Sequence, residues 1–407
     1  MKSLIHSVFP PILSLIIVML GNSFFTTFIS VSLSEQHSTY IVGFVNSAFY
    51  SGILIGCFFM ERLIHRVGHV RSFTFFASLN AILVLLHLFL INIYAWVSLR
   101  FLMGICSSGF FIIIESWLLL LSDTNSRGKI LSFYMLALYL AQGASQFILN
   151  WLNFHSHIPF CVTVMFSCLS IIPFSIMNDK VPKCLTAPNF SIFEIIKNSP
   201  LGFTGCILSG MMVSAFHGLA PVMGKELGLN MLQITKMMGL TIFGGLIFQW
   251  PIGHLSDLFN RRKVLSFVSL SLIAVSVTLA FSRTFHFGLF LPLSMLFGGL
   301  LFTLYPLSIS YTSDRISTAS ITTITCVMLI LYGVGSIAGP LAVPLALTHI
   351  GPHGLYLYVA TLTIFLFLFS NSRFGREEIL KTPLSPPEPL AVPSEELTEN
   401  QSENSLN

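Results

Sequence analysis

Charge is what this sequence has least of. Asp, Glu, Lys and Arg make up 9% of its 407 residues, against roughly 25% in soluble domains. With 54% hydrophobic residues, an ordinary soluble domain is excluded, because a water-facing surface needs charge. Catalytic signatures are missing as well. No G-x-x-x-x-G-K-[ST] loop occurs to cradle nucleotide phosphates, and there is no G-x-S-x-G elbow and no H-E-x-x-H zinc pair. Neither a nucleotide-driven pump nor a hydrolase is expected, and the chain reads as a non-enzyme without a cofactor. The seven Cys contain no C-x-x-C, and all but Cys184 fall in apolar stretches where a thiol is a small packing group. This excludes a disulfide framework and a zinc site. His155 and His157 form a lone H-x-H with no third ligand nearby, so no metal is expected. Basic residues are scattered rather than gathered into a patch, which excludes nucleic acid as a partner.

What is present is a series of twelve apolar stretches, near 10–33, 41–61, 72–91, 94–121, 130–152, 158–177, 201–222, 232–255, 264–282, 286–312, 320–346 and 353–372. Each is long enough to cross a bilayer. Lipid offers backbone amides no partners, so a span must be helical or part of a closed barrel, and continuous apolar runs without period-2 alternation choose helices. The expected fold is an all-α polytopic bundle in a lipid bilayer. Pro10 and Pro11 open a full-length span with no small-residue cleavage site after it, so the N-terminus reads as the first helix and not as a cleaved signal.

Lys and Arg of short loops stay in the cytoplasm. Of the 20 basic residues, sixteen fall on one side (Lys2, Arg62, Arg66, Arg71, Arg127, Lys129, Lys180, Lys183, Lys197, Arg261, Arg262, Lys263, Arg315, Arg373, Arg376 and Lys381). Only Lys225, Lys236 and Arg283 lie opposite, and Arg100 falls inside the fourth span. Both termini are therefore expected in the cytoplasm of a cell whose inner membrane holds the protein.

Met135 to Tyr139 (M-L-A-L-Y) returns as Met328 to Tyr332 (M-L-I-L-Y) at an offset of 193 residues, and the loop segments His65–His69 and Asp257–Arg261 correspond at an offset of 192. Two independent matches on one period divide the chain into a six-helix bundle over 1–180, a cytoplasmic linker over 181–200 with Pro182, Pro188 and Pro200, and a second six-helix bundle over 201–375. Residues 376–407 turn to Pro, Ser, Asn and Glu and are expected to form a disordered cytoplasmic tail. Paired six-helix repeats with a site between them near the midplane are one transporter architecture.

Four motifs carry a resemblance. Gly253, Asp257, Arg261, Arg262 and Lys263 fit G-x-x-x-D-x-x-G-R-R/K with Asn260 in place of the second Gly. The first-half copy keeps Arg66, Gly68 and Arg71 but has Glu61 and His65 where Gly and Asp are usual. Arg100 and Gly104 fit R-x-x-x-G, and Gly335, Gly339 and Pro340 fit G-x-x-x-G-P. Together these resemble the major facilitator superfamily. Glu115-Ser116, Gln249 to Gly253 and Phe302 to Pro306 are similar to its YcaD-like branch, over roughly residues 10–372. In many antiporters of the family G-x-x-x-G-P lies in span 5, where this chain has Gln142, Gly143 and Gln146 instead. The resemblance implies a fold and a transport mode but neither export nor a substrate. It also implies a gating role for Gly253, Asp257, Arg261, Arg66 and Gly68, in which Gly253 allows close helix approach and Asp257 accepts backbone hydrogen bonds at a helix start. The same basic residues also serve orientation.

Glu115 stands alone as a carboxylate well inside the predicted spans. Conformations that differ in hydration, or in distance from Arg, would load and release a proton there, while a carboxylate near a span end can equally snorkel to water or pair with Arg127. Arg100 precedes it by fifteen residues, about 22 Å along a helix, so the two do not pair. Arg100 reads either as an anchor to backbone carbonyls or as a proton or substrate residue. Asn22, Gln142, Gln146, His217, Gln249 and Tyr305 are polar groups near mid-span. Singly each suits interhelical packing, and as a set they suit a central cavity. Pro251, Pro306 and Pro340 allow kinks.

The expectation is a monomeric secondary transporter of a small solute, working by alternating access and coupled to protons. A drug or metabolite efflux antiporter, and a transport-inactive receptor or scaffold, are the alternatives.

Overall fold

The computed structural model describes residues 2–121, 127–152, 154, 156–176, 198–281, 287–316 and 321–372. The expected linker up to residue 197, the tail, Cys184 and His155 lie outside the described residues. The described residues belong to one compact unit.

That unit is helical, with no strand among the described residues. Its helices are α1 (Lys2–Gln36), α2 (Thr39–Val67), α3 (His69–Phe89), α4 (Ile93–Leu121), α5 (Arg127–Ile148), α6 (Ile158–Leu169) with its short continuation α7 (Ile171–Ser175), α8 (Pro200–Glu226), α9 (Met231–Leu258), α10 (Arg261–Ala280), α11 (Phe287–Ser313), α12 (Ile321–Ile350) and α13 (Gly354–Asn371). Among the described residues, eleven segments are long and apolar enough to cross a membrane, with α6 and α7 forming one of them. The remaining helix, α5, has its apolar run broken by Gln142, Ser145 and Gln146. Pro251, Pro306 and Pro340 lie inside continuous helices. Neighbouring helices let a bundle tolerate the lost backbone bonds.

Turn chemistry differs between the two loops that carry the related motifs. Between α2 and α3, Gly68 adopts φ 92° and returns its N–H to Ile64, a conformation that side chains with a Cβ resist. Between α9 and α10, Asn260 has φ −59° and caps α10 by accepting from the Arg262 amide. That loop needs an N-cap and no left-handed residue, which explains Asn where the motif has Gly.

Packing repeats between the halves. In the first half α2 packs on α4, α1 on α5, α3 on α4 and α6, and α1 on α6. In the second, α9 packs on α11, α8 on α12, α10 on α11 and α13, and α8 on α13. These are the same pairs shifted by one repeat. The halves meet where α2 lies on α12 and α5 on α9, again a symmetric pair of contacts, and where α1 approaches α8. Small residues permit the tightest crossings. A side chain at Gly52 would collide with the Phe101 carbonyl, and one at Gly104 with the Phe49 carbonyl, so the R-x-x-x-G glycine brings α2 and α4 backbones together.

Two faces follow from this arrangement. The α2–α3 and α9–α10 turns, with Arg66, Arg71, Arg261, Arg262 and Lys263, mark a basic face. The α1–α2 and α8–α9 turns mark the opposite face.

Candidate functional site

Helix α4 carries both residues expected in proton coupling or substrate binding, Arg100 and Glu115, and the fold gives them different surroundings. Arg100 is 0% exposed. Its Nη2 donates to Thr26 Oγ1 on α1 at 3.4 Å and to Asn46 Oδ1 on α2 at 3.3 Å. Its guanidinium lies over the Phe49 ring, 4.5 Å from the centroid. The Nε–H has no acceptor among the described residues. Neither acceptor is a backbone carbonyl, so the expected anchor to carbonyls is not what holds this residue. Asn46, also 0% exposed, donates to Ser30 Oγ at 3.1 Å, to the Val42 carbonyl at 3.0 Å and to the Gly218 carbonyl on α8 at 3.5 Å. The cation is thus tied to the other half through one amide.

Glu115 is half-buried, and it forms no hydrogen bond or ion pair among the described residues. It lies within electrostatic reach of Cys57 on α2, Tyr134 on α5, Tyr305 on α11 and Cys326 on α12. Cys57 and Tyr134 belong to the first half, Tyr305 and Cys326 to the second.

Aromatic groups fill the region between these two residues. Tyr305 and Tyr332 have ring centroids 4.6 Å apart. Tyr139 meets Phe302 at 5.8 Å, and His217 meets the same Phe302 at 5.5 Å. Tyr50 lies within reach of Arg100 on one side and of Tyr332 on the other. The fold therefore brings His217 and Tyr305 together, with Tyr50, Tyr139, Tyr332 and Phe302 that sequence reasoning did not select. Tyrosine at helical spacing gives no signal of its own in an apolar run. Asn46 did give one, since it is a mid-span amide like Asn22.

The other candidates have separate settings. Asn22 is buried within the first half, accepting from Asn80, which also donates to Ser167. Gln146 is 1% exposed and accepts from Thr27 at 2.8 Å. Gln142 and Gln249 are half-buried, and their side chains form no hydrogen bond among the described residues.

Polar links between the halves gather toward the opposite face. Glu35 pairs with Lys225 at 3.4 Å, Lys225 donates to Ser34, and Thr39 donates to Glu226. Tyr40 meets Thr348 at 3.1 Å, Ser47 donates to the Ile337 carbonyl, and Thr235 to Asn150.

On the basic face, Arg261 bridges Asp257 at 3.2 Å and Asp314 at 2.8 Å. These residues lie at the ends of α9, α10 and α11, so the bridge is internal to the second half. Asp257 therefore has a guanidinium as its partner where backbone amides were expected. Gly253 faces open space, with nothing within 4 Å of an added Cβ, so the expected close approach is not made in this conformation. In the first half Arg66 is exposed, and the buried His69 next to Gly68 meets Ser116 at 3.1 Å.

A family model described as Major Facilitator Superfamily matches residues 12–340. An uncharacterized MFS-type transporter, YcaD, from Escherichia fergusonii is 25% identical over 366 residues, covering 88% of this chain and 94% of that one. The crystal structure of the nucleoside transporter NupG superposes with a TM-score of 0.75 at 14% identity, covering 92% of this chain and 99% of that one. A D-xylose-proton symporter gives a TM-score of 0.69 at 14% identity, with 90% and 97% covered. At such identity the structural likeness concerns the fold.

Proposed function

This chain belongs to the Major Facilitator Superfamily and is a multi-pass membrane transporter, and from that premise we propose that it is a proton-coupled secondary transporter of a small organic solute. The halves rock about the aromatic region between Arg100 and Glu115, exposing it to one face and then the other. Glu115 carries the proton. The observation that supports this most directly is its setting: a half-buried acid without an ion-pair partner among the described residues, facing groups of both halves. Rocking changes the access of water to Glu115, and a carboxylate moved between wet and low-dielectric surroundings responds by releasing or taking up its proton.

Other parts of the reading follow from the geometry. The basic face is cytoplasmic by the positive-inside rule, in the inner membrane of a bacterial cell. The links on the opposite face close the outer side in this conformation. The Arg261 bridge ties the cytoplasmic ends of α9, α10 and α11, and it controls when that side opens.

The test is a solute screen on purified protein in proteoliposomes, with and without an imposed pH gradient. Gradient-driven accumulation of a solute is expected. Equilibration that ignores the gradient would show a uniporter and defeat the coupling.

A further inference from the structure

Arg100 is a buried cation surrounded by neutral groups. Its partners are a hydroxyl, an amide oxygen and a ring face, and its exposure is 0%. Glu115 is too far along α4 to neutralise it. Guanidinium keeps its charge at any physiological pH, and an uncompensated charge inside a bilayer is costly and marks a functional pathway. Its two hydrogen bonds, at 3.3 and 3.4 Å, are long beside the roughly 2.7–2.9 Å of charge-assisted pairs. Both come from Nη2, and the adjacent Nε–H has no acceptor among the described residues. Nε and Nη2 form the edge of the guanidinium that takes two carboxylate oxygens side by side. That edge is under-used here.

On the transporter reading above, we propose that Arg100 is the recognition residue for a carboxylate group carried by the solute, whose flat apolar body rests on the neighbouring aromatic rings. The way in is across the interface of the halves. Asn46, which occupies part of the guanidinium, reaches α8 through a 3.5 Å bond to the Gly218 carbonyl. Gly218 offers no side chain, and the Asn46 Cγ lies 3.1 Å from where its Cβ would be. Parting of α2 from α8 breaks this link and frees the side of Asn46 that faces the second half. An entering carboxylate replaces the long bonds to Asn46 and Thr26 with a bidentate pair. Phe49 already covers the guanidinium, and Tyr50 leads on to Tyr332 and Tyr305. These rings suit an aromatic or alicyclic body. A sugar, rich in hydroxyls and without charge, fits this surface less well.

The experiment compares matched pairs of probes, benzoate with benzamide and 1-naphthoate with 1-naphthamide, on the full-length protein in detergent at pH 7 and constant ionic strength. Thermal unfolding is followed with a thiol-reactive dye, since a ligand bound to the folded state raises the midpoint. At least one carboxylate is expected to raise the midpoint with concentration while its amide does not. Arg100→Gln should remove the response, and Arg100→Lys, a point charge without the fork, should raise the half-saturating concentration by about tenfold or more. Amides acting as well as carboxylates, no response to either carboxylate, or an undiminished response in Arg100→Gln would overturn the proposal. If Arg100→Gln does not fold, Arg100→Lys decides, and unchanged affinity there has the same consequence. Because binding is read without a gradient, the two readings fail separately. A neutral solute accumulated under a pH gradient would leave proton coupling standing and remove the carboxylate, whereas carboxylate binding without any transport would do the reverse.

Discussion

Glu35 at the end of α1 and Lys225 at the end of α8 lie 3.4 Å apart, and each side chain is 36% exposed. A pair this open to solvent contributes about 0–1 kcal/mol, so it biases the closed face without locking it. Lys225→Glu sets a like charge beside Glu35 and Glu226 and should favour opening. Maleimide labelling of Ser30→Cys, buried behind this face, in a chain with its native cysteines replaced by serine, should then quicken several-fold. An unchanged labelling rate would mean that the pair has no part in closure.

Glycines in two of the motifs should respond oppositely to bulk. Gly104 is pressed against the Phe49 carbonyl, whereas Gly253 has empty space around it. Overpacking a tight crossing costs about 1–3 kcal/mol. Gly104→Leu should therefore lower the thermal unfolding midpoint in detergent, while Gly253→Leu leaves it in place and slows transport if the loop must close.

The Arg261 bridge gives a prediction in which stability and function separate. Asp257 and Asp314 are 68% and 56% exposed, so removing the bridge by Arg261→Ala should cost about 1 kcal/mol or less. Initial transport rates should fall well beyond that change. Arg261→Lys, able to meet one acid at a time, should give an intermediate rate. Equal rates in all three proteins would leave Arg261 with orientation alone.

Topology has its own check. With the basic face in the cytoplasm, alkaline phosphatase fused after Asn407 should be inactive, and the same enzyme inserted in the α8–α9 turn at Gly228 should be active. The reverse pattern would invert the assignment.

Most of the fold was legible because lipid simplifies the problem. A helix is the one open-ended structure that satisfies its own backbone there, so apolar runs read directly as α1 to α13. The repeat was legible through the short sequences ending at Tyr139 and Tyr332, and the packing pairs obey it. The site was less legible. Arg100 and Glu115 stand out because charge is rare in spans, but their partners depend on which helices meet. Nothing in the sequence near Arg100 points to Gly218, which acts through a backbone carbonyl. Asn22 and Gln146 have the same residue chemistry as a cavity amide, yet Asn80 and Thr27 satisfy them inside the first half. A single chain cannot separate the two cases. Gly253 shows a further limit, since close approach depends on conformation as well as on sequence.

The central claim is that Glu115 carries the coupled proton, and Glu115→Gln in proteoliposomes tests it most directly. Amide replaces acid at nearly equal volume, so solute binding and exchange between equal pools should persist at every pH. Accumulation driven by a pH gradient should be lost. Gradient-driven accumulation in Glu115→Gln equal to that of the native protein would contradict the claim and place the proton elsewhere.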